Sequence, residues 1–521
     1  MVRTSQTDPL EISEIACGEG LIGLTFCPGK TGPSVFGAPW ARDLEIDISV
    51  IKVWGADYVL SLIEDHEFDL LQVRRLGDAV RAAGMTWIHA PIVDLGAPSV
   101  DFERRWTVVG HVLRTCLRSG GRVLVHCRGG RGRAGLVAAR LMVELGQDAQ
   151  FAIEQVRDVR PGAIETQGQE AFVRQVKPVT TDEQDGRLLG CLFGGAVGDG
   201  FGYAIEFDRL ATIRAKHGPT GLTEPLLTNG QLVVSDDTQM TLFTAEALGE
   251  VTRPDLFIDA CRAAYLRWYG TQRGRLPKTT GKGKGLLSHA SLWARRAPGN
   301  TCMSALAAGG TGTIERPIND SKGCGGVMRT APIGLLYPAD VAFDLGARAS
   351  ALTHGHPSGY LSGGAMAAIV SGLAGGMRLT DAVVEAIHIL RGRGGADETI
   401  AALEGAIALA GKPGCDGQDV ARGSLGEGWV GEEALAIAVY ACLVSDEFED
   451  AIRIAANHDG DSDSTASVAG QLLGAARGVM PIRWDWIERL DVFDAVADVA
   501  GRAPALHGHF ATRSETMGRQ A

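Results

Sequence analysis

The sequence predicts two domains of different fold class: an α/β domain with a mostly parallel sheet, followed by an all-α domain. The chain has 521 residues, which is too long for a single hydrophobic core. Its first third alternates short apolar runs with helical patterns, the order typical of a parallel sheet covered by helices. Beyond residue 187 the apolar segments lengthen and take a helical period.

In the first domain, apolar runs at 56–62, 85–92 and 122–126 predict strands. Helical periodicity predicts helices over 68–83, 102–119 and 134–146. The stretch 176–187 (VKPVTTDEQDGR) is polar, contains proline and has no apolar period. We therefore expect a first domain at 1–178, a linker at 179–186 and a second domain at 187–510.

The second domain is predicted to be built almost entirely of helices, because strand patterns nearly vanish there. Several of its helices are crowded with small residues, which would let two backbones approach closely. The predicted helices are 187–197, 238–251, 254–268, 339–352, 363–374, 379–390, 432–445 and 464–478.

Composition and charge exclude several classes of protein. The net charge of −12 argues against non-specific nucleic-acid binding, which needs a broad basic surface. The ten cysteines are scattered and form no C-x-x-C pair. The first residues lack an apolar signal region, and no stretch has 18 uninterrupted apolar residues. We expect a reduced, cytoplasmic enzyme with no membrane and no nucleic-acid partner.

Two short acidic clusters, at 235–238 (SDDT) and 461–465 (DSDST), are the most informative feature of the second domain. Each opens an apolar stretch predicted to be helical, so each could simply cap a helix, since Ser and Asp accept hydrogen bonds from the first turn. Each cluster has two aspartates within three residues, which is more than one helix cap needs. Adjacent carboxylates repel unless a cation lies between them, and hard oxygen donors suit Mg²⁺ or Mn²⁺. We expect the two clusters to converge on a binuclear cation site.

The first domain carries a motif of its own at 125–133 (VHCRGGRGR). A strand ends at Cys127, a glycine-rich loop follows, and a helix starts near Arg133. Loop N–H groups, a helix N-terminus and a guanidinium would together bind phosphate. The same field favours a thiolate, and therefore a nucleophile, at Cys127. A buried strand-end cysteine beside a glycine turn is the alternative, but it does not explain the spacing of Cys127 and Arg133.

This His-Cys-x5-Arg motif resembles the signature loop of the cysteine-dependent protein phosphatases, and its wording is most similar to the dual-specificity, kinase-associated group. The resemblance covers about 18–175 and implies an Asp that protonates the leaving oxygen. Asp94 is the match, with Asp101 as second choice. Position 134 is Ala, where many relatives place Ser or Thr, so breakdown of the phosphocysteine intermediate is expected to be slow.

The second half resembles the ADP-ribosylglycohydrolases over about 187–500. The resemblance rests on ordered matches: 188–199 with Glu206, the SDDTQM segment at 235–240, the glycine loop at 323–329 (GCGGVMR), the THGHP segment at 353–357 and the GDSDST segment at 460–465. Serines stand at 235 and 464, where the family more often has Thr, and a hydroxyl is kept. Cys324 stands where many relatives have Asn.

The resemblance implies a role for each matched residue. Glu206 would hold the ribose or gate the site. Gly323, Gly325 and Gly326 would carry the diphosphate of ADP-ribose, and His354 would contact it or act as a hydrogen-bonded loop histidine. Asp199 would bind substrate or cap a helix near the site. The expected ligands of two Mg²⁺ or Mn²⁺ ions are Ser235, Asp236, Asp237, Asp461, Asp463 and Ser464.

Together with these motifs, the two resemblances imply a bifunctional hydrolase. One domain would remove ADP-ribose from a modified acceptor, with ADP-ribosyl-arginine on protein as the leading expectation, and the other would hydrolyse phosphomonoesters. The expected partners are an ADP-ribosylated protein or small molecule and a phosphorylated substrate. Two alternatives remain: a non-catalytic module that binds ADP-ribose or phosphoprotein, and two sites that act on one phosphorylated ADP-ribose substrate.

Overall fold

The computed structural model describes residues 2–34, 37–274, 285–415 and 417–502. The chain divides into two compact units, Met1–Asp182 and Glu183–Ala521. The predicted end of the second domain, at 510, lies outside the described residues. Across the described ranges, no helix is both long enough and apolar enough to cross a membrane.

The first unit is an α/β structure built on one main sheet. Its strands are β1 Ser13–Cys17, β2 Gly20–Phe26, β3 Thr31–Gly32, β4 Trp40–Ala41, β5 Tyr58–Ser61, β6 Thr86–His89 and β7 Arg122–Cys127. Its helices are α1 Leu44–Trp54, α2 Asp65–Leu70, α3 Leu76–Ala82, α4 Val100–Arg118, α5 Gly132–Glu144, α6 Ala149–Val159 and α7 Gln167–Gln175.

The sheet has the order β1-β2-β7-β5-β6, and only the β1–β2 pair is antiparallel. Parallel pairing brings the carboxyl ends of β2, β7 and β5 to one edge, because Phe26 lies opposite Cys127 and Ser61 lies opposite His126. Residues that follow these strands can therefore meet at this edge. The predicted α/β fold with a mostly parallel sheet is confirmed.

Helices cover both faces of this sheet. Ile51 of α1, Leu76 of α3 and Leu124 of β7 belong to one buried cluster. Because side chains alternate along a strand, Val123 and Val125 point to the other face, where α4 and α5 contact β7. The sheet is thus buried on both sides, as a parallel sheet requires.

The first unit differs from the sequence prediction in two places. The helix predicted at 68–83 is two helices, α2 and α3, separated by a turn in which Gln72 has φ of 58°. A left-handed residue cannot continue a right-handed helix. Strands β1 to β4 and helices α1, α6 and α7 were not predicted. Strands β3 and β4 have two residues each, too few to show an alternation, whereas the apolar residues of the three helices could have indicated them.

The second unit is helical. Its α-helices are α8 Asp182–Tyr203, whose first residue belongs to the first unit, α9 Leu210–His217, α10 Asp236–Gly249, α11 Phe257–Gln272, α12 Asn300–Ala307, α13 Ala331–Gly334, α14 Ala339–Ala351, α15 Pro357–Ala374, α16 Leu379–Leu390, α17 Asp397–Ala410, α18 Gln418–Ala421, α19 Gly431–Val444, α20 Phe448–Ala456, α21 Ser462–Arg477, α22 Trp484–Ile487 and α23 Phe493–Ala500. Short 3-10 helices lie at Pro254–Leu256, Gly285–Ser288, Ala290–Trp293 and Cys324–Arg329.

The predicted helices of this unit are all present, but α8 begins at Asp182 rather than at 187. Close backbone packing joins α8 to α21, as the small residues indicated. A Cβ on Gly194 would lie 2.3 Å from the carbonyl oxygen of Gly470, and a Cβ on Gly202 would lie 2.1 Å from that of Ser462. Only glycine permits this approach, and it brings the end of α8 against the first turn of α21.

Candidate active sites

In the first unit, the loop between β7 and α5 surrounds the Cys127 thiol. The Gly130 N–H donates to the Cys127 Sγ at 3.3 Å. Gly130 has φ of 69°, and a Cβ there would lie 2.4 Å from the Thr25 carbonyl, so glycine is required. The thiol itself is buried, with 3% of its residue exposed.

The outer side of the loop is held by cations that sequence analysis did not single out. Lys30 Nζ donates to the Arg128 carbonyl at 3.2 Å, and Arg160 Nε donates to the Gly130 carbonyl at 3.1 Å. Burial lowers the pKa of Lys30 to about 8. Because the loop carbonyls accept from the scaffold, we infer that the loop N–H groups are turned toward an anion bound at Cys127.

Arg133 is almost completely buried and is held by carboxylates. Its Nη1 and Nη2 donate to Glu67 at 2.5 and 3.0 Å, and Nη2 lies 3.0 Å from Asp94. Burial alone would raise the pKa of Glu67, but the hydrogen bonds from Arg133 hold it below its ordinary value. The Arg133 Nε has no partner among the described residues. The two Nη groups of the guanidinium are therefore fixed by carboxylates, while the Nε–H stays free to donate to a phosphate.

The sequence did not predict Glu67, although its signal was present. Glu64 and Glu67 stand three positions apart at the start of α2, and the Glu64 N–H donates to the Glu67 Oε2 at 2.9 Å. This spacing is that of a capping box. The sequence does not show that Glu67 pairs with the distant Arg133. The two side chains meet because α2 follows β5, α5 follows β7, and these two strands are parallel neighbours.

The two candidates for the general acid occupy different positions. Asp94 contacts the signature Arg133 and is half exposed, so a substrate bound at the loop could reach its carboxyl group. Asp101 lies in the first turn of α4 and pairs with Arg104 at 2.8 Å on the exposed helix surface. The geometry favours Asp94.

His126, which precedes the nucleophile, is fully buried. Ser61 Oγ lies 2.6 Å from its Nε2 and accepts from Trp87 Nε1 at 2.8 Å. Burial lowers the pKa of His126 to about 3, so the imidazole is neutral and serves as a hydrogen-bonded support for the strand end. Ala134 lies in the first turn of α5 and is fully buried.

In the second unit, the two acidic clusters form the first turns of α10 and α21. Ser235 caps α10 and accepts from the Asp237 N–H at 3.2 Å. Asp461 caps α21, and Asp463 accepts from the Ser464 N–H at 3.0 Å. The capping interpretation is thus correct for both clusters, but it uses only part of their oxygen atoms.

The clusters converge through the helix ends. One carboxylate oxygen from each of Glu206, Asp461 and Asp463 lies within 4.8 Å of the others. Burial and then the charge of Asp463 raise the pKa of Asp236, Asp237 and Asp461 well above the ordinary value. Geometry brings the first cluster to the same place. Helix α10 contacts α21, and α8 touches the first turn of both, because Asp199 accepts from the Ser235 N–H and Gly202 packs against the Ser462 carbonyl.

The site suits divalent cations on its donor chemistry. The Asp237 Oδ2 and Glu206 Oε2 are buried and lack a hydrogen-bond partner within the described ranges. Burial, followed by Asp463, raises the pKa of Glu206 to about 9. Buried carboxylates with unpartnered oxygens are costly unless a cation or proton neutralises them. Hard oxygen donors fit Mg²⁺ or Mn²⁺.

Asp199 supports the first cluster from α8. Its carboxylate accepts from the Ser235 N–H at 2.8 Å, and from the Thr238 N–H at 3.0 Å and the Thr238 hydroxyl. Burial and Asp463 raise its pKa to about 7. With both oxygens engaged, Asp199 has the geometry of a cap on α10 rather than of a substrate contact.

The glycine loop lies between α10, α15 and α21. A Cβ at Gly326 would lie 2.4 Å from the Gly359 carbonyl, so this glycine serves the close packing of α15. A Cβ at Gly323 or Gly325 would lie 3.2 Å from His354 Nε2. Cys324 Sγ lies 2.8 Å from Asp461 Oδ2, which places the loop directly beside the second acidic cluster.

Known proteins match each unit separately. The family model described as ADP-ribosylglycohydrolase matches residues 180–515, and the model described as cyclin-dependent kinase inhibitor 3 matches residues 4–154. Cyclin-dependent kinase inhibitor 3 of Rattus norvegicus is 32% identical over 171 residues, covering 32% of this chain and 76% of the relative.

Two further relatives match the second unit. The ADP-ribosyl-(dinitrogen reductase) glycohydrolase of Rhodospirillum rubrum is 26% identical over 319 residues, covering 59% of this chain and 90% of the relative. The ADP-ribosylarginine hydrolase Tri1 of Pseudomonas putida (strain GB-1) is 43% identical over 58 residues, covering 11% of this chain and 16% of the relative.

Proposed function

Because the chain belongs to the ADP-ribosylglycohydrolase family, and its first unit to the family of cyclin-dependent kinase inhibitor 3, we propose that it joins two hydrolytic activities: metal-dependent removal of ADP-ribose from arginine side chains, and hydrolysis of phosphomonoesters through a phosphocysteine. The protein is a hydrolase with a phosphatase domain. The observation that supports the first activity is that α8 contacts the acidic first turns of both α10 and α21, and that the second of these lies beside the glycine loop.

The ADP-ribosylglycohydrolase family is generally metal-dependent. We assign two Mg²⁺ or Mn²⁺ ions to the side chains of Ser235, Asp236, Asp237, Asp461, Asp463 and Ser464. When bound, the cations would orient the ribose hydroxyls and stabilise charge at the anomeric carbon.

The side chains around this site have complementary roles in the proposal. The water oxygen forms the new bond to the anomeric carbon while a carboxylate of the clusters accepts its proton. The bond between the anomeric carbon and the acceptor nitrogen breaks, and the leaving guanidine takes up that proton. Glu206 faces the same space as Asp461 and Asp463 and holds the ribose. Asp199 keeps the first turn of α10 in place. Arginine as acceptor is supported by the printed activity of the Tri1 relative.

In the first unit, Cys127 attacks phosphorus while Asp94 protonates the departing oxygen. Glu67 holds the Arg133 guanidinium, and the free Nε donates to the phosphoryl group. Water then attacks phosphorus while the Asp94 carboxylate takes its proton, the P–S bond breaks, and Cys127 leaves as the thiolate.

The test is a reciprocal pair of variants of the full chain. Asp237→Asn should lower hydrolysis of ADP-ribosyl-arginine at least about a hundredfold, a typical scale for losing metal-ion stabilisation, and should abolish the rise in melting temperature on adding Mg²⁺ or Mn²⁺. Cys127→Ser should abolish phosphate release from an aryl phosphate and leave the other activity within a few-fold.

The substrate panel contains ADP-ribosyl-arginine, ADP-ribosyl-serine, O-acetyl-ADP-ribose and a phosphotyrosine peptide, and each variant is the folding control for the other. Glu206→Gln should keep two bound cations by elemental analysis while losing activity. Full hydrolysis by metal-stripped enzyme would contradict the metal assignment. Loss of both activities in one well-folded variant would indicate a shared site.

A further inference from the structure

Arg329 is a buried cation for which neither proposed reaction supplies a role. It ends the 3-10 helix that contains the glycine loop, and it is fully buried. Within the described ranges, no carboxylate lies within ion-pair distance of its guanidinium. Its Nη1 donates to Cys302 Sγ at 3.4 Å, its Nη2 donates to the Thr353 hydroxyl at 2.6 Å, and the ring of Tyr265 lies 4.5 Å away. An unpaired buried charge is costly, so its retention calls for a physical explanation.

The direction of the hydrogen bonds around Thr353 follows from donor chemistry. A guanidinium can only donate, so the Thr353 oxygen accepts from Arg329. The single Thr353 hydroxyl proton then has two good acceptors, His354 Nδ1 at 2.8 Å and the Ser350 carbonyl at 3.4 Å. The Cys302 sulfur also interacts with Thr353 but is a weak acceptor. The shortest contact, to the imidazole nitrogen, takes the proton. His354 Nδ1 is therefore an acceptor, and in a neutral ring the proton sits on Nε2.

Two further observations support this tautomer. Burial, together with the positive charge of Arg329, lowers the pKa of His354 to about 3, so the ring is neutral. The ring also points its other nitrogen at the glycine loop, because Nε2 would lie 3.2 Å from a Cβ at Gly323 or at Gly325. Nε2 makes no hydrogen bond to the described part of the chain, so its N–H remains available to a ligand.

We propose that Arg329 and Thr353 are positioning residues that hold His354 as the neutral Nε2–H tautomer, aimed along the glycine loop as a donor to a phosphate-bearing ligand. Arg329 also places a fixed positive charge behind that donor, which favours an anion at the loop. The identity of the ligand as the diphosphate of ADP-ribose rests on the proposed function. The tautomer does not.

The experiment uses the full chain labelled with ¹⁵N-histidine. Long-range proton–nitrogen correlation spectra report which ring nitrogen carries the proton, and the His354 signals are identified by their absence in His354→Gln. Two substitutions of Thr353 form a matched pair: Thr353→Val keeps the shape and removes the hydroxyl, whereas Thr353→Ser keeps the hydroxyl. Binding of ADP-ribose to each variant is measured by calorimetry in the presence of Mg²⁺.

We expect wild-type His354 to be protonated at Nε2, Thr353→Ser to retain this state, and Thr353→Val to lose it. Thr353→Val should weaken ADP-ribose binding about tenfold, the scale of one hydrogen bond to a charged group, while Thr353→Ser stays close to wild type. Rescue by the hydroxyl separates a positioning role from a packing role.

Protonation of wild-type His354 at Nδ1 would overturn the inference, whether or not the variants fold. So would an unchanged tautomer in Thr353→Val. If the wild-type ring is protonated at Nε2 but the chain binds no ADP-ribose, the positioning of His354 stands and the proposed function is overturned instead.

Discussion

Glu67→Gln is the sharpest test of how the first active site is built. The substitution keeps the volume of the side chain and removes its charge. Glu67 and Arg133 have side chains that are each 2% exposed, and two hydrogen bonds of 2.5 and 3.0 Å join them. After the change, the buried guanidinium faces an amide that has one acceptor oxygen instead of two, whose NH2 group cannot accept, and which cannot neutralise the charge.

The cost follows from what remains around Arg133. Removing one partner of a buried ion pair typically costs about 3–5 kcal/mol. Asp94 stays 3.0 Å from Nη2, but it is half exposed and screened by water, so it compensates only in part. We expect a loss of about 3 kcal/mol, at the lower end of that range. We also expect kcat/KM for an aryl phosphate to fall at least about tenfold, or about 1.4 kcal/mol, because the Arg133 Nε–H is no longer held in position to donate to the phosphoryl group.

The matched control lies on the same helix. Asp69→Asn removes a carboxylate that pairs with Arg74, and both of these side chains are more than half exposed. Exposed pairs contribute about 0–1 kcal/mol. Urea titrations of the full chain, read by pulsed hydrogen exchange of β7, measure the stability of the first unit in each variant. If Glu67→Gln costs no more than Asp69→Asn, the buried pair does not support the loop, and the reasoning is wrong.

Two further predictions concern the same unit. Ala134→Ser supplies a hydroxyl that can donate to the leaving thiolate. It should raise the steady turnover rate about tenfold, the effect of roughly 1.4 kcal/mol in the transition state, and reduce the burst of phenol release seen in rapid-mixing experiments. A wild-type enzyme without a burst would contradict this prediction. In the folded protein the pKa of His126 is about 3, below the ordinary value of about 6.5. As the pH drops, the imidazole is therefore protonated in the unfolded chain before it is protonated in the folded one. The free energy of unfolding falls as the pH drops from about 6.5 toward 3. At pH 5 the loss should be about 2 kcal/mol, measured by the same titrations at pH 7 and 5, and His126→Asn should remove most of it.

Much of the fold was predictable because the signals are local. The helix over Leu379–Leu390 carries its own apolar period and is observed with the predicted bounds. The helix predicted at 68–83 failed because a left-handed turn at Gln72 interrupts an apolar pattern that continues across it. Periodicity reports which residues are apolar, whereas the turn is a backbone conformation that the pattern does not encode.

The candidate residues of both sites could also be named from the sequence. Cys127, Arg133 and the carboxylates of Asp236, Asp237, Asp461 and Asp463 are predicted site residues because their residue types and spacing match the chemistry proposed for them. Asp199 shows where this reasoning stops. Its neighbours in sequence do not reveal that its oxygens accept from the first turn of α10, thirty-six or more positions away.

The sequence by itself determined the two fold classes, the glycine-rich loop after Cys127 and the two acidic clusters, because each depends on a short run of residues and its local backbone preference. Only the tertiary structure decided which groups meet: Glu67 with Arg133, Glu206 with Asp461 and Asp463, and Arg329 with Thr353 and His354. These contacts form where strand pairing and close glycine packing bring distant segments together. Their energy depends on burial, which no local pattern specifies.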